Sequence, residues 1–314
     1  MTTLTNETQR ERPVTNQRGD AALLPRIALV TPVYNSAKYI EQTIVSVLGQ
    51  NYPNLDYFIV DGGSTDGTVD IIRKYESQIS GWISEPDGGM YDAINKGFAR
   101  TSGEVLGWIS ATDQYHVGGL SVVAGVFRDL PQVEWITGRP TEFSEEGMTI
   151  KILDIPRWSR RRYLAGANRY IQQESTFWRR SLWDRAGGCV DASRRMSSDM
   201  ELWVRFFRYA KIYPVDALIG GFRVHRDSLA LSNWHEFTQI GDEIIDTEVR
   251  GSQNYKMVKF LTLINRTIKR IPKVRVAWQR LVLSNLYKVL YRLPGPDLPP
   301  IIEYQSGTGK WGFR

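Results

Sequence analysis

The sequence predicts an α/β protein, a mostly parallel sheet flanked by helices, with a basic amphipathic helical tail at the C-terminus. Short apolar, β-branched runs alternate with segments of helical periodicity from residue 26 to residue 138, the rhythm of a parallel sheet with helical crossovers. The 314-residue chain is 42% hydrophobic, enough to bury a sizeable core. Its net charge of +6 is unevenly placed: residues 250–314 hold 13 Lys and Arg against 2 acids, and the rest is mildly acidic.

Residues 1–24 are polar, have no apolar h-region and are expected to be a disordered arm rather than a secretory signal. The main α/β domain is expected over 25–245 and the tail over 246–314. "RIALVTP" (26–32) is a short strand stopped by Pro32, and Ile40, Ile44, Val47 and Leu48 then mark a helix ending near Gly49. "LDYFIVDGG" (55–63) is a second strand, "TVDIIRKYES" a helix, "GWISEPDGG" a strand and turn, and "MYDAINKGFAR" a helix. "VLGWISATD" (105–113) is a core strand running out into a single carboxylate. A helix follows around Leu120–Leu130, then a strand at "VEWITG".

After Gly138 the alternation stops. Thr141–Ala167 reads as irregular and Arg-rich, "SSDMELWVRFFRYA" as an amphipathic helix opened by Ser198 or Asp199, and "IYPVDALIGGFRVH" as strand and sheet edge. In the tail, Met257, Leu261, Ile264, Ile268 and Ile271 form one apolar stripe. Trp278, Leu281, Leu286, Val289 and Leu293 form another, with Pro272 between them.

Several function classes are excluded early. One cysteine, Cys189, allows no disulfide framework and no CxxC metal site. No run approaches the ~20 apolar residues of a membrane-spanning helix, so a cytoplasmic protein, free or peripheral on the membrane, is expected. No GxGxxG stands between a strand and a helix and no GxxxxGK[ST] occurs, which argues against a dehydrogenase or a phosphate-loop enzyme. The basic tail carries no nucleic-acid recognition motif, and no nucleic-acid partner is expected. In open parallel sheets ligands bind beyond the carboxyl ends of the strands. The informative positions are therefore Pro32–Asn35, Asp61–Ser64, Glu85–Gly89 and Ser110–Asp113, and three of these four ends carry an acid.

"TPVYN" (31–35), "VDGGSTDGT" (60–68), "SEPDGGMYDAINKGFARTSGEVLGWISATD" (84–113), "QQESTFWRR" (172–180) and "SSDMELWVRF" (197–206) resemble, in this order, the motifs of a family 2 glycosyltransferase. The resemblance implies the GT-A fold and transfer of a sugar from a nucleotide-sugar donor to an acceptor hydroxyl. Pro32 and Tyr34 match positions lining the base and ribose pocket. Asp61 matches the first acid of a frequent pair, and Gly62 stands where the second, base-contacting acid often lies. The carrier, UDP, GDP or dTDP, is thereby left open. Asp92 and Asn95 match donor-side polar positions and share one face of their helix.

At the strand end the family usually carries two acids bridging metal and donor; here Thr112 and Asp113 occupy those positions. A divalent cation, Mn²⁺ or Mg²⁺, held by Asp113 with His225 as a second candidate ligand, would neutralise a leaving diphosphate. Asp199 aligns with the general base of inverting members, with Glu201 in reserve. Gln173, Glu174 and Trp178 match the acceptor side. The block lacks QxxRW, so addition of a single sugar is expected, to a saccharide or lipid-linked acceptor in a bacterial surface-polysaccharide or glycolipid pathway. Residues 250–293 hold 11 Lys and Arg and no acid, a pattern suited to an anionic membrane surface. The alternatives are a degenerate nucleotide-sugar-binding protein, which Thr112 and Gly62 would favour, and a nucleotidyltransferase, which would want a basic Gly-rich loop after the first strand.

Overall fold

The computed structural model describes residues 24–164, 170–225, 233–250 and 298–314. β1 (Ile27–Val33), β2 (Leu55–Asp61), β3 (Gly81–Ser84) and β4 (Val105–Trp108) lie parallel, in the spatial order β4-β1-β2-β3. The crossovers carry α1 (Ile40–Leu48), α2 (Thr68–Arg73) and α3 (Met90–Phe98). β1 is buried along its whole length, as expected of a strand covered on both faces. Ala28 and Val30 enter one core with Phe58, Val60, Leu106 and Trp108, while Ile27 and Leu29 enter the other with Tyr57, Ile59 and Val105. Alternation along each strand thus feeds two layers.

α3 lies very close to β1. A Cβ at Gly97 would stand 2.5 Å from Val30 Cγ1, so only glycine allows this approach. Beyond β4 the sheet continues through β9 (Thr176–Arg179), β6 (Trp135–Thr137) and β10 (Tyr213–Pro214), with α4 (Gly119–Asp129) preceding β6. β9 runs antiparallel to both its neighbours. Its entry therefore lies at the carboxyl end of β4.

The stretch read as irregular contains two antiparallel strands, β7 (Thr141–Phe143) and β8 (Thr149–Ile152), and a short helix, α5 (Arg160–Leu164). β8 is exposed at every position and carries no burial pattern that a sequence reading could detect. With β5 (Gln114–Tyr115) and β11 (Gly220–Arg223) these strands form a second sheet, ordered β5-β11-β7-β8. α6 (Arg180–Arg185), α7 (Ser198–Phe206) and α8 (Trp234–Arg250) complete the body. Five tryptophans pack together beneath α7. Trp108 stacks on Trp203 at 5.7 Å and an interplanar angle of 3°, Trp135 and Trp178 pack against this pair, and Trp183 stacks on Trp178.

Two boundary expectations change. The expected division at 245/246 falls inside α8, whose Ile244, Ile245 and Val249 belong to the catalytic core. Nor is the C-terminus wholly helical: β12 (Ile302–Gln305) and β13 (Lys310–Phe313) form a hairpin docked on the catalytic body. Ile302 bridges Val215, the Trp311 N–H donates to Asp129 Oδ2 at 2.9 Å, and Arg157 donates to the carbonyls of Leu298 and Pro299. The two apolar stripes of the tail, and the arm over residues 1–23, lie outside the described residues.

Candidate active site

The carboxyl ends of β1, β2 and β4 and the entry of β9 meet at one edge of the main sheet. Asp61 closes β2. Its buried carboxylate accepts from the N–H groups of Gly63 (3.1 Å) and Ser64 (2.9 Å), from the Ser64 hydroxyl and from the Ser84 hydroxyl (2.7 Å). That set shapes the turn after the strand. Asn35 fastens the turn to β1, its N–H donating to Ser64 Oγ (2.7 Å) while its Oδ1 accepts from Thr65 N (2.9 Å). Pro32 is buried opposite Val60, and Tyr34 projects from the rim at 63% exposure. An exposed ring beside a rigid turn suits a stacked base.

Gly62 has a physical explanation here. A Cβ at this position would stand 2.9 Å from Asp87 Oδ2, so the volume a second acid would need is taken by Asp87 from the neighbouring loop. Asp87 also accepts the Gly89 N–H (2.7 Å), and burial pushes its carboxyl upward. On α3, Asp92 accepts the Gly88 N–H (3.0 Å) and pairs with Lys96. Asn95 departs from the expected donor contact. Its amide donates to Val190 O and accepts from Val190 N, both at 2.8 Å, which holds the segment leading to α7.

Asp113 follows β4 through a turn in which its N–H donates to Ser110 O, and Thr43 Oγ1 ties the Ala111 and Asp113 carbonyls to α1. The carboxyl is 1% exposed, and burial pushes it up to about 7. Oδ1 accepts from Arg223 N at 2.9 Å, leaving Oδ2 without a protein hydrogen bond among the described residues. Arg223, fully buried, donates through its guanidinium to the carbonyls of Thr112 and Glu145 and lies 5.3 Å from the centre of the Tyr39 ring. Its Nη2 has no hydrogen-bond partner among the described residues. His225 packs on that same Tyr39 ring at 5.1 Å, so Asp113, Arg223 and His225 border one corner. Sequence reasoning missed Arg223; the only signal was its position two residues before the candidate ligand.

No three His, Cys, Asp or Glu side chains converge into a protein-only metal cage among the described residues. One carboxylate with an unengaged oxygen, and an imidazole nearby, fits a hard cation whose remaining oxygens come from a diphosphate and water.

Gln172–Ser175 arrive at this edge because β9 is antiparallel. The Gln172 amide pairs with the backbone of Thr141 in both directions at 2.9 Å. Gln173 accepts from Trp108 Nε1 (2.7 Å) and donates to Ser110 Oγ (3.0 Å). The Ser175 hydroxyl donates to Gly220 O (2.6 Å). Glu174 is 1% exposed, and its Oε1 has no hydrogen-bond partner among the described residues. Burial first, then the charges of Asp113 and Asp199, push this carboxyl far above its ordinary value. Trp178 does not lie at an acceptor mouth. It is fully buried in the tryptophan cluster, edge-on to Trp108 at 5.2 Å.

Asp199 lies in the first turn of α7, which follows Ser197 in the left-handed region (φ 66°). Although the residue keeps some exposure, the crowding around its carboxyl pushes it up to about 6, against backbone N–H groups and a Tyr91 hydroxyl 3.4 Å away that favour the charged form. Glu201 is committed elsewhere, since Arg205 grips both its oxygens at 2.8 Å. It is a poor reserve base.

Residues 28–185 match glycosyl transferase family 2. The chain is 31% identical over 189 residues to an uncharacterized glycosyltransferase of Mycobacterium tuberculosis, covering 58% of this chain and 68% of that one. It is 32% identical over 133 residues to TuaG of Bacillus subtilis, a glycosyltransferase assigned to teichuronic acid biosynthesis, covering 41% and 49%. Among solved structures, S. aureus TarS 1–349 in complex with UDP-GlcNAc superposes with a TM-score of 0.60 at 16% identity, over 78% of this chain and 73% of that one. The longer TarS chain is spanned over 43% of its length. The mannosyltransferase PcManGT from Pyrobaculum calidifontis, in complex with GDP-Man and Mn²⁺, superposes with a TM-score of 0.52 at 16% identity, over 85% and 83%. Likeness at that identity shows a shared fold.

Proposed function

The chain belongs to glycosyl transferase family 2, and on that premise we propose that it moves one sugar, with inversion, from a nucleotide-sugar to an acceptor hydroxyl in the assembly of a cell-surface polysaccharide or glycolipid. One observation carries the reading. Asp113 ends the turn after β4 and Asp199 opens α7, and the charges of both act on one buried carboxyl, Glu174, at the entry of β9, so the candidate cation ligand and the candidate base serve one site.

Tyr34 and Pro32 support the nucleoside of a UDP, GDP or dTDP donor, on the turn that Asp61 holds rigid. Asp113 and His225 would hold Mn²⁺ or Mg²⁺ with the diphosphate, and a cation there supplies neutralisation of the leaving group's charge. Arg223 fixes the Asp113 carboxyl through its backbone N–H and presents a buried, unpaired Nη2 at the same corner. Asp199 takes the proton of the acceptor hydroxyl on the far side of the anomeric carbon. A carboxyl near 6 is mostly ionised at neutral pH yet basic enough to accept a proton in the transition state. The acceptor is a saccharide or lipid-linked saccharide. Reaction would take place at the cytoplasmic face of a membrane, to which residues 250–293 bind by charge. No helix of the described residues is long and apolar enough to cross a membrane.

The test is a panel of nucleotide-sugars assayed for nucleotide release with Mn²⁺, with Mg²⁺ and with chelator, followed by NMR of the product's anomeric proton. Cation-dependent release from one donor with an inverted product is expected. Release unaffected by chelator would remove the metal, and a retained configuration would remove Asp199 as base.

A further inference from the structure

Within Gln172–Ser175 every side chain but one is fastened to its surroundings. Gln172 is bonded to Thr141, Gln173 to Trp108 and Ser110, and Ser175 to Gly220. The backbone has no room to shift either, because a Cβ on Gly220 would lie 2.4 Å from Glu174 O. Glu174 sits in this frame, 1% exposed, with Oε1 unpartnered. A buried carboxyl oxygen without a hydrogen bond carries an uncompensated desolvation penalty. Neither neighbouring loop relieves it, although Thr141 and Gly220 are close enough to bond the residues on both sides. Gln173 beside it bonds Ser110 in the turn that carries Asp113, and the charges of Asp113 and Asp199 both act on this carboxyl, which puts it at the donor edge of the sheet.

Resting on the donor-site reading above, we propose that Glu174 hydrogen-bonds a hydroxyl of the transferred sugar and so helps determine which sugar is accepted. It is a substrate-contacting residue rather than part of the acceptor mouth. The pinned frame means that the carboxyl is held in place before the sugar arrives, so little ordering entropy is lost on binding. A site built to pair a hydroxyl discriminates strongly against a sugar that lacks it, because the buried group is then left unpaired.

The experiment is calorimetric titration of the full chain with UDP, UDP-GlcNAc, GDP, GDP-mannose, dTDP and dTDP-glucose in Mn²⁺, for wild type, Glu174→Gln and Glu174→Ala. The readout is the ratio of affinities for the sugar conjugate and its own free nucleotide. Glu174→Ala is expected to lower that ratio about tenfold while leaving the free nucleotide unchanged. Glu174→Gln, which keeps the shape and one acceptor oxygen, should fall between. Equal weakening of nucleotide and conjugate would assign Glu174 a purely structural role and overturn the proposal. Two variants indistinguishable from a wild type that binds would overturn it as well. A wild type that binds none of the six would overturn the donor-site reading itself, and this proposal with it.

Discussion

Replacing Tyr91 by Phe is a sensitive probe of the base. Its hydroxyl donates to Asp199 Oδ1 at 3.4 Å, and burial keeps the phenol protonated by pushing it well above its ordinary value. The bond favours the carboxylate, so removing it must raise the Asp199 pKa from about 6. Hydrogen bonds to charged groups contribute about 1.5–3 kcal/mol at good geometry, and half of the lower figure is a reasonable value for one this long. At 1.36 kcal/mol per unit that is a shift of roughly 0.5 unit. In wild type at saturating Mn²⁺, which would keep Asp113 ionised, kcat/KM should rise with pH along a limb centred near 6, as the base loses its proton. In Tyr91→Phe the limb moves upward, giving about half the wild-type rate at pH 6 and nearly the same rate at pH 8. Asp199→Asn should lose the limb and fall by about 10²–10⁴ at pH 8, the deficit narrowing as wild type itself loses rate below pH 6. The assay is initial-rate nucleotide release between pH 5 and 8.5. A flat wild-type profile, or a limb displaced to lower pH in Tyr91→Phe, would refute the assignment.

Asp113→Asn should abolish divalent-dependent turnover, at a loss of roughly 3 kcal/mol or more in kcat/KM. Thr112→Asp should be tolerated or should tighten Mn²⁺ binding, read by metal titration of the rate. Asn95→Ala removes both bonds to Val190, so it should cost about 1–3 kcal/mol in denaturant unfolding and lower the rate with nucleotide affinity unchanged. For the membrane, a chain stopped near Val249 would also remove the docked hairpin. The appropriate variant replaces residues 251–297 by a Gly/Ser linker. Wild type should sediment with anionic liposomes in a salt-sensitive manner, each Lys or Arg adding ~1 kcal/mol, and the linker variant should not.

The parallel half of the sheet was legible because β1, β2 and β4 are short apolar runs and α1 and α3 keep a helical stripe. Asp113 was legible for the same reason, as a single acid closing an apolar strand. What was hidden depends on long-range pairing. The antiparallel direction of β9 leaves no mark on "TFWR", yet it carries Glu174 to the centre of the site and Trp178 into the core. Asn95 reads as a polar helix position whether it faces a ligand or, as here, the backbone of Val190. Arg223 has the composition of a surface residue and is fully buried. The hairpin at 302–313 was obscured by the basic stripes before it.

The tryptophan cluster also governs what light reports about this molecule. Indoles stacked at 5.4 and 5.7 Å, as Trp135, Trp203 and Trp108 are, couple their electronic transitions and pass excitation among themselves. The ultraviolet emission and near-ultraviolet dichroism of the protein are then set mainly by the packing under α7. A variant whose far-ultraviolet spectrum is unchanged but whose near-ultraviolet bands collapse has lost that packing while keeping its helices and strands. The spectrum thus separates a damaged scaffold from an altered site before any substrate is added.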